Sequence, residues 1–203
     1  TTWWGDQLVR LEKDYCAVVN PKNGKETRLF GLDDLKGCVE VKSLYGVSFP
    51  YANRSVVEVH TGKELVLVNF KTKRVEQRTD ISKAEQAMEM NKVSGAVAYV
   101  SNNQLFVADK AGNTKQLTTD GSREIVYGQA VHRDEFGIKG GLYWSPSGER
   151  LAFYRMDQSM VTDFPLFHIQ EVDWQPKEGE SRIGTYEPTK YPMAGETSHK
   201  VTV

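Results

Sequence analysis

Almost every apolar segment of this chain is too short to be a buried helix: runs of about four to seven residues rich in Val, Tyr, Phe and Leu, closed on either side by Gly, Asn, Pro or Ser. Alternation of period two is the pattern of a strand that buries one face, so the chain must build its core from sheets. Tyr15 to Val19 and Glu26 to Phe30 flank Asn20-Pro21-Lys22-Asn23-Gly24-Lys25, where Pro presets one turn angle and Gly supplies a positive one. Leu65 to Phe70 pairs with Arg74 to Arg78, and Ala96 to Val100 with Gln104 to Ala108 across Ser101-Asn102-Asn103. Thr114 to Thr118 follows Ala111-Gly112-Asn113. One window, Ser82 to Met90, reads as a helix with Ser82 as N-cap and Glu85 completing a capping box. The fold class is all-β.

The hairpin ends repeat. Placing Leu29, Gln77 and Leu117 in register gives spacings of 48 and 40 residues, close to the period of a four-stranded propeller blade. Trp144-Ser145-Pro146-Ser147-Gly148 adds an aromatic strand running into a Pro/Gly turn, with Leu151-Ala152-Phe153 beyond it. Part of a β-propeller of about four to five four-stranded blades is the favoured architecture, ahead of a β-sandwich.

With 39% hydrophobic and 26% charged residues over 203 positions, the chain can bury a core without metal or disulfide. Its 26 basic and 27 acidic residues leave a net charge of -1, which gives no field to draw nucleic acid. No apolar run approaches the roughly 20 residues of a membrane helix, so no membrane span is expected. Cys16 and Cys38 lie in the β-like stretches Tyr15 to Val19 and Cys38 to Val41; both read as buried thiols, with a disulfide the other reading. Thr1-Thr2-Trp3-Trp4-Gly5, without Met or leader, and the strand-like Lys200-Val201-Thr202-Val203 read as internal to something longer.

Catalytic motifs are missing. Gly46-Val47-Ser48-Phe49-Pro50 lacks the second Gly of a nucleophile elbow, so Ser48 is read as a strand or turn residue. His60, His132, His168 and His199 have no metal-ligand spacing, and Gly140-Gly141 reads as the start of a strand. No catalytic residue, metal site or cofactor is expected within the chain.

Two stretches carry a resemblance. Gly141 to Val161 (GLYWSPSGERLAFYRMDQSMV), with Tyr191-Pro192-Met193-Ala194-Gly195-Glu196 about 30 residues later, resembles the N-terminal propeller of the dipeptidyl peptidase IV family. The bacterial branch, which includes prolyl tripeptidyl aminopeptidases, is most similar. The specific likeness covers Val126 to Val203; before it, only the rhythm of strands and turns agrees.

The resemblance implies an eight-bladed ring over a C-terminal α/β-hydrolase domain that is absent from residues 1–203 and carries a Ser, Asp and His triad. It implies cleavage of proline-containing peptides near their N-terminus, with release of two or of three residues left open. It implies a periplasmic or extracellular location, and a homodimer formed through an arm at residues 162–188. Within Val131 to Ile138, the resemblance puts Glu135 and Asp134 where the family holds the substrate's α-amino group.

The residues themselves allow two readings of that segment. Adjacent carboxylates suit a cationic guest such as an α-ammonium, and such an anchor fixes the distance from the amine to the bond cut. The same loop also reads as a solvated run of self-paired charge. Arg133 either orients the carboxylates or faces solvent. The family's carbonyl-binding arginine has no counterpart among residues 51–69, where Arg54 reads as a turn residue. In the ribbon, Phe164, Phe167, Ile169, Val172 and Trp174 precede a turn at Pro176 to Gly179 and read either as an interface or as packing on the parent blade. The competing function is a non-catalytic propeller, a binding or scaffolding module.

Overall fold

The computed structural model describes residues 1–133, 135–168 and 185–203. The first sheet runs β1 (Thr2–Trp4), β2 (Gln7–Leu11), β3 (Tyr15–Val19) and β4 (Glu26–Gly31), antiparallel and in chain order. One helical turn, α1 (Leu32–Leu35), follows, its start held by the Gly31 amide donating to Asp34 Oδ2 at 2.8 Å. The second sheet is β5 (Val47–Ser48), β6 (Val56–His60), β7 (Glu64–Asn69) and β8 (Arg74–Asp80). The third is β9 (Met88–Met90), β10 (Val97–Ser101), β11 (Gln104–Ala108) and β12 (Thr114–Gln116), in the same order. Leu29, Gln77 and Leu117 lie on or just beyond β4, β8 and β12, so the repeat seen in the sequence is the blade repeat.

The fourth unit is divided. β13 (Ile125–Tyr127) pairs with β16 (Arg155–Asp157) and β16 with β19 (Lys200–Thr202), while β14 (Leu142–Trp144) and β15 (Leu151–Phe153) form the hairpin around Ser145 to Arg150. A ribbon of β17 (Asp163–His168) and β18 (Thr185–Lys190) leaves this unit. Among the described residues the architecture is therefore three four-stranded propeller blades and a split fourth.

Burial between successive sheets explains the sequence pattern. On β6 and β7, Val57, Val59, Val66 and Val68 join the cluster shared with the first sheet, and Val56, Leu65 and Leu67 join the cluster shared with the third. Because both faces are covered, β7 reads as a nearly unbroken apolar run rather than a clean alternation. Phe30, Phe49, Phe70 and Trp4 close the first interface, with Phe30 stacked on Phe70 at 4.8 Å between ring centroids. Cys16 and Cys38 are buried and free; burial pushes the Cys16 thiol up to about 11, and Cys38 Sγ donates to Lys73 O at 3.2 Å.

Polar clasps join the blades as well. Trp4 Nε1 donates to Arg54 O, Gln77 Nε2 to Gly95 O at 2.6 Å, and Asn91 Nδ2 to Gly148 O at 2.7 Å. Trp144 Nε1 returns the last of these by donating to Glu89 O at 3.1 Å. Gly148 has φ +75°, and a Cβ there would lie 2.7 Å from Asn91 Oδ1 and 2.8 Å from Val93 Cβ. Asn91 is 1% exposed and cannot swing aside freely. Gly148→Ala is expected to destabilise the chain by at least about 1 to 3 kcal/mol, read as a lower urea midpoint with an unchanged slope.

Two local expectations are corrected. Ser82 to Met90 is not a helix: the Ser82 amide is taken by Asp80 Oδ1 at 2.8 Å, and Glu85 Oε2 accepts from the Asn102 amide at 2.7 Å instead of closing a capping box. The backbone there pairs with the third sheet, Glu85 N to Val100 O and Val100 N to Ala87 O, so sheet pairing outweighs the helical propensity of the segment. Cys38 to Val41 is not a strand, because Cys38 and Val39 donate back to Leu35 O as the chain leaves α1.

Candidate functional site

Between β13 and β14 the chain makes a long excursion whose stems nearly touch. Gln129 and Gly140 form a β-bridge, Gly128 has φ +66°, and a Cβ on Gly141 would lie 2.6 Å from both Gln129 N and Gly128 C. Only a glycine at position 141 lets the backbones cross this closely. Above the neck the loop is a chain of tight turns: Arg133 N to Ala130 O, Glu135 N to His132 O at 2.9 Å, and Ile138 N to Glu135 O. Phe136 has φ +55° and is 85% exposed, with His132 edge-on at 6.4 Å. A bulky residue in the left-handed region costs about 1–2 kcal/mol, and such strain concentrates at functional sites.

Glu135 follows from this loop onto the wall of a cavity of about 560 Å³, shared with Phe164, Leu166, Tyr191, Met193 and His199. Glu135 is half-buried as a residue, and its Oε1 accepts the Tyr191 hydroxyl at 3.1 Å in an exposed hydrogen bond. That bond pushes the Tyr191 phenol up from an ordinary value that already leaves it protonated, and so a donor, at neutral pH. A carboxylate offers about four acceptor positions, so capacity for a guest's N–H groups is left after Tyr191 is bound.

The cations on the wall have other commitments. Arg133 Nη2 donates to Gln158 Oε1 at 3.2 Å, and Lys190, 8% exposed, donates to Val161 O at 2.8 Å and faces Glu124 and Asp163. Burial, then Arg133 and His132, push the His199 imidazole below its ordinary value, so it sits in the wall uncharged at neutral pH.

Of the residues singled out from the sequence, Glu135 and Arg133 line one cavity, and Asp134 lies outside the described residues. Arg133 is half-buried rather than turned to solvent. Arg54 is elsewhere, over the Tyr51 ring at 4.2 Å and paired with Glu76, in keeping with a turn residue. Ser48 is on β5.

Sequence reasoning missed Tyr191 and His199 as site residues; the only signal was that Tyr191-Pro192-Met193 stood out as a motif. On the ribbon, period two puts Phe164 and Leu166 on the cavity face and Phe167 on the other, where it meets Tyr186 at 5.8 Å with both rings exposed. Phe164 and Leu166 are themselves exposed, at 38% and 40%, so both faces of the ribbon present apolar side chains. Ile169, Val172, Trp174 and the turn at Pro176 to Gly179 lie outside the described residues.

Residues 47–203 match the family described as Dipeptidyl peptidase IV (DPP IV) N-terminal region. The chain belongs to this family. The match opens on Val47, the first residue of β5, so the DPP IV pattern covers the second and third blades as well as the stretch from Val126 onward.

Among curated relatives, the Probable dipeptidyl-aminopeptidase B of Arthroderma gypseum is 33% identical over 108 residues, 50% of this chain and 12% of the relative. That of Grosmannia clavigera is 30% identical over 132 residues, 57% of this chain and 14% of the relative. A solved "putative dipeptidyl aminopeptidase IV" from Bacteroides ovatus superposes with a TM-score of 0.72 at 34% identity, over 98% of this chain and 27% of that one. Dipeptidyl peptidase 4 of Porphyromonas gingivalis superposes at 0.62 over 99% of this chain and 30% of that one; at 18% identity it speaks for the fold alone. The chain thus spans a small part of the proteins it resembles. Among the described residues no helix is long and apolar enough to cross a membrane.

Proposed function

We propose that residues 1–203 are part of the substrate-gating propeller of a post-proline serine exopeptidase, and that Glu135 holds the free α-amino group of the peptide. The observation that carries this reading is the Glu135 carboxylate, held by Tyr191 on the wall of a cavity large enough for a small ligand. Asp134 is assigned the second carboxylate on its sequence position alone, and Arg133, fixed by Gln158, steadies the loop from behind.

In this account the chain binds and measures. An α-ammonium, with an ordinary pKa of about 7.7–8.0, enters largely charged at neutral pH and forms charge-assisted hydrogen bonds to Glu135. Anchoring that end sets how many residues reach the nucleophile, which belongs to an α/β-hydrolase domain outside this chain. The exposed Phe167–Tyr186 face of the ribbon is assigned to a homodimer contact, and the protein to the periplasm or the cell exterior.

The test is to compare free and N-acetylated Xaa-Pro reporters on the full-length protein. Acetylation removes the positive charge and is expected to lower kcat/KM at least about tenfold; equal rates on both would reject the anchor.

A further inference from the structure

Glu135 has no regular element to aim it. It sits in a loop of consecutive turns beside the left-handed Phe136, so the direction of its carboxylate depends on what its side chain touches. We propose that Tyr191 is the positioning residue of Glu135, holding the carboxylate in the orientation that receives the peptide amine. This rests on the amine-anchor reading above.

Three observations place Tyr191 for the role. Its hydroxyl donates to Glu135 Oε1 at 3.1 Å. Its ring lies against Phe164 with centroids 6.2 Å apart, on the cavity face of β17. Its backbone is pinned where the ribbon begins, the Tyr191 amide donating to Thr162 O at 3.1 Å directly after β18. The hydroxyl is thus located by a hydrogen-bonded antiparallel ribbon rather than by the turns that carry Glu135, so a regular element aims a group on an irregular one. Because the phenol can only donate to a carboxylate, it fills one lone pair and leaves the other acceptor positions for the guest.

Tyr191→Phe keeps the ring on Phe164 and removes only the donor, so folding should survive. In the full-length protein this variant is expected to raise KM for free-amine Xaa-Pro reporters about 5- to 20-fold, with kcat changed less than about twofold. In a Glu135→Gln background the same substitution is expected to add less than about twofold.

Wild-type kinetics from Tyr191→Phe alongside an impaired Glu135→Gln would overturn the positioning role and leave the anchor standing. An equal KM rise in both backgrounds would overturn it too, since Tyr191 would then act by another route. An unimpaired Glu135→Gln would remove the anchor and this inference with it.

Discussion

Glu135→Gln in the full-length protein is expected to lower kcat/KM on Xaa-Pro reporters by about 10- to 150-fold. Gln keeps the length and one acceptor oxygen of Glu135, so packing against the cavity wall and the Tyr191 bond can persist. What it loses is charge. A hydrogen bond to a charged group is worth roughly 1.5–3 kcal/mol, which at about 1.4 kcal/mol per tenfold gives that range. Because the same interaction binds ground state and transition state alike, most of the loss should fall on KM. A change smaller than about threefold would show that the carboxylate is not the anchor.

The largest stability effect is expected at the first blade interface. Phe30, 2% exposed on β4, stacks on Phe70 and meets Phe49 edge-on, so it joins the first and second sheets through two aromatic partners. Phe30→Ala leaves a cavity between sheets whose backbones are fixed by their own ladders and cannot collapse fully. The expected loss is about 3–5 kcal/mol by urea unfolding. Phe136→Ala is the matched control: with its ring 85% exposed, it should change stability by no more than about 0.5 kcal/mol. Equal effects from the two substitutions would contradict the packing described.

Much of this fold was legible because hairpins are local. Asn102 and Asn103 adopt φ +47° and +60°, the two-residue turn that asparagine tolerates, and the strands on either side pair as their alternation predicts. What failed was decided at longer range. Ser82 to Met90 has helical composition, yet its backbone groups are claimed by Val100 on a neighbouring strand. The single turn of α1 is too short to leave a periodic signal. Nor could the sequence foresee that the backbones at Gly128 and Gly141 would come so close, since such an approach is a property of the packed state.

The site divides in the same way. Glu135 could be singled out because the family resemblance gives its loop a recognisable setting ahead of Trp144-Ser145-Pro146, and it does line the cavity. Tyr191, Phe164 and His199 complete the cavity from 29 to 64 positions further along the chain, and only the folded ribbon places them beside Glu135.

The central claim is that this carboxylate reads the charge of a peptide's amine. It is tested most directly by measuring kcat/KM for free and N-acetylated forms of one Xaa-Pro reporter in both the wild-type full-length protein and Glu135→Gln. The account predicts that acetylation costs the wild type at least about tenfold and the variant less than about threefold, a coupling between the two changes. The same acetylation penalty in both proteins would contradict it.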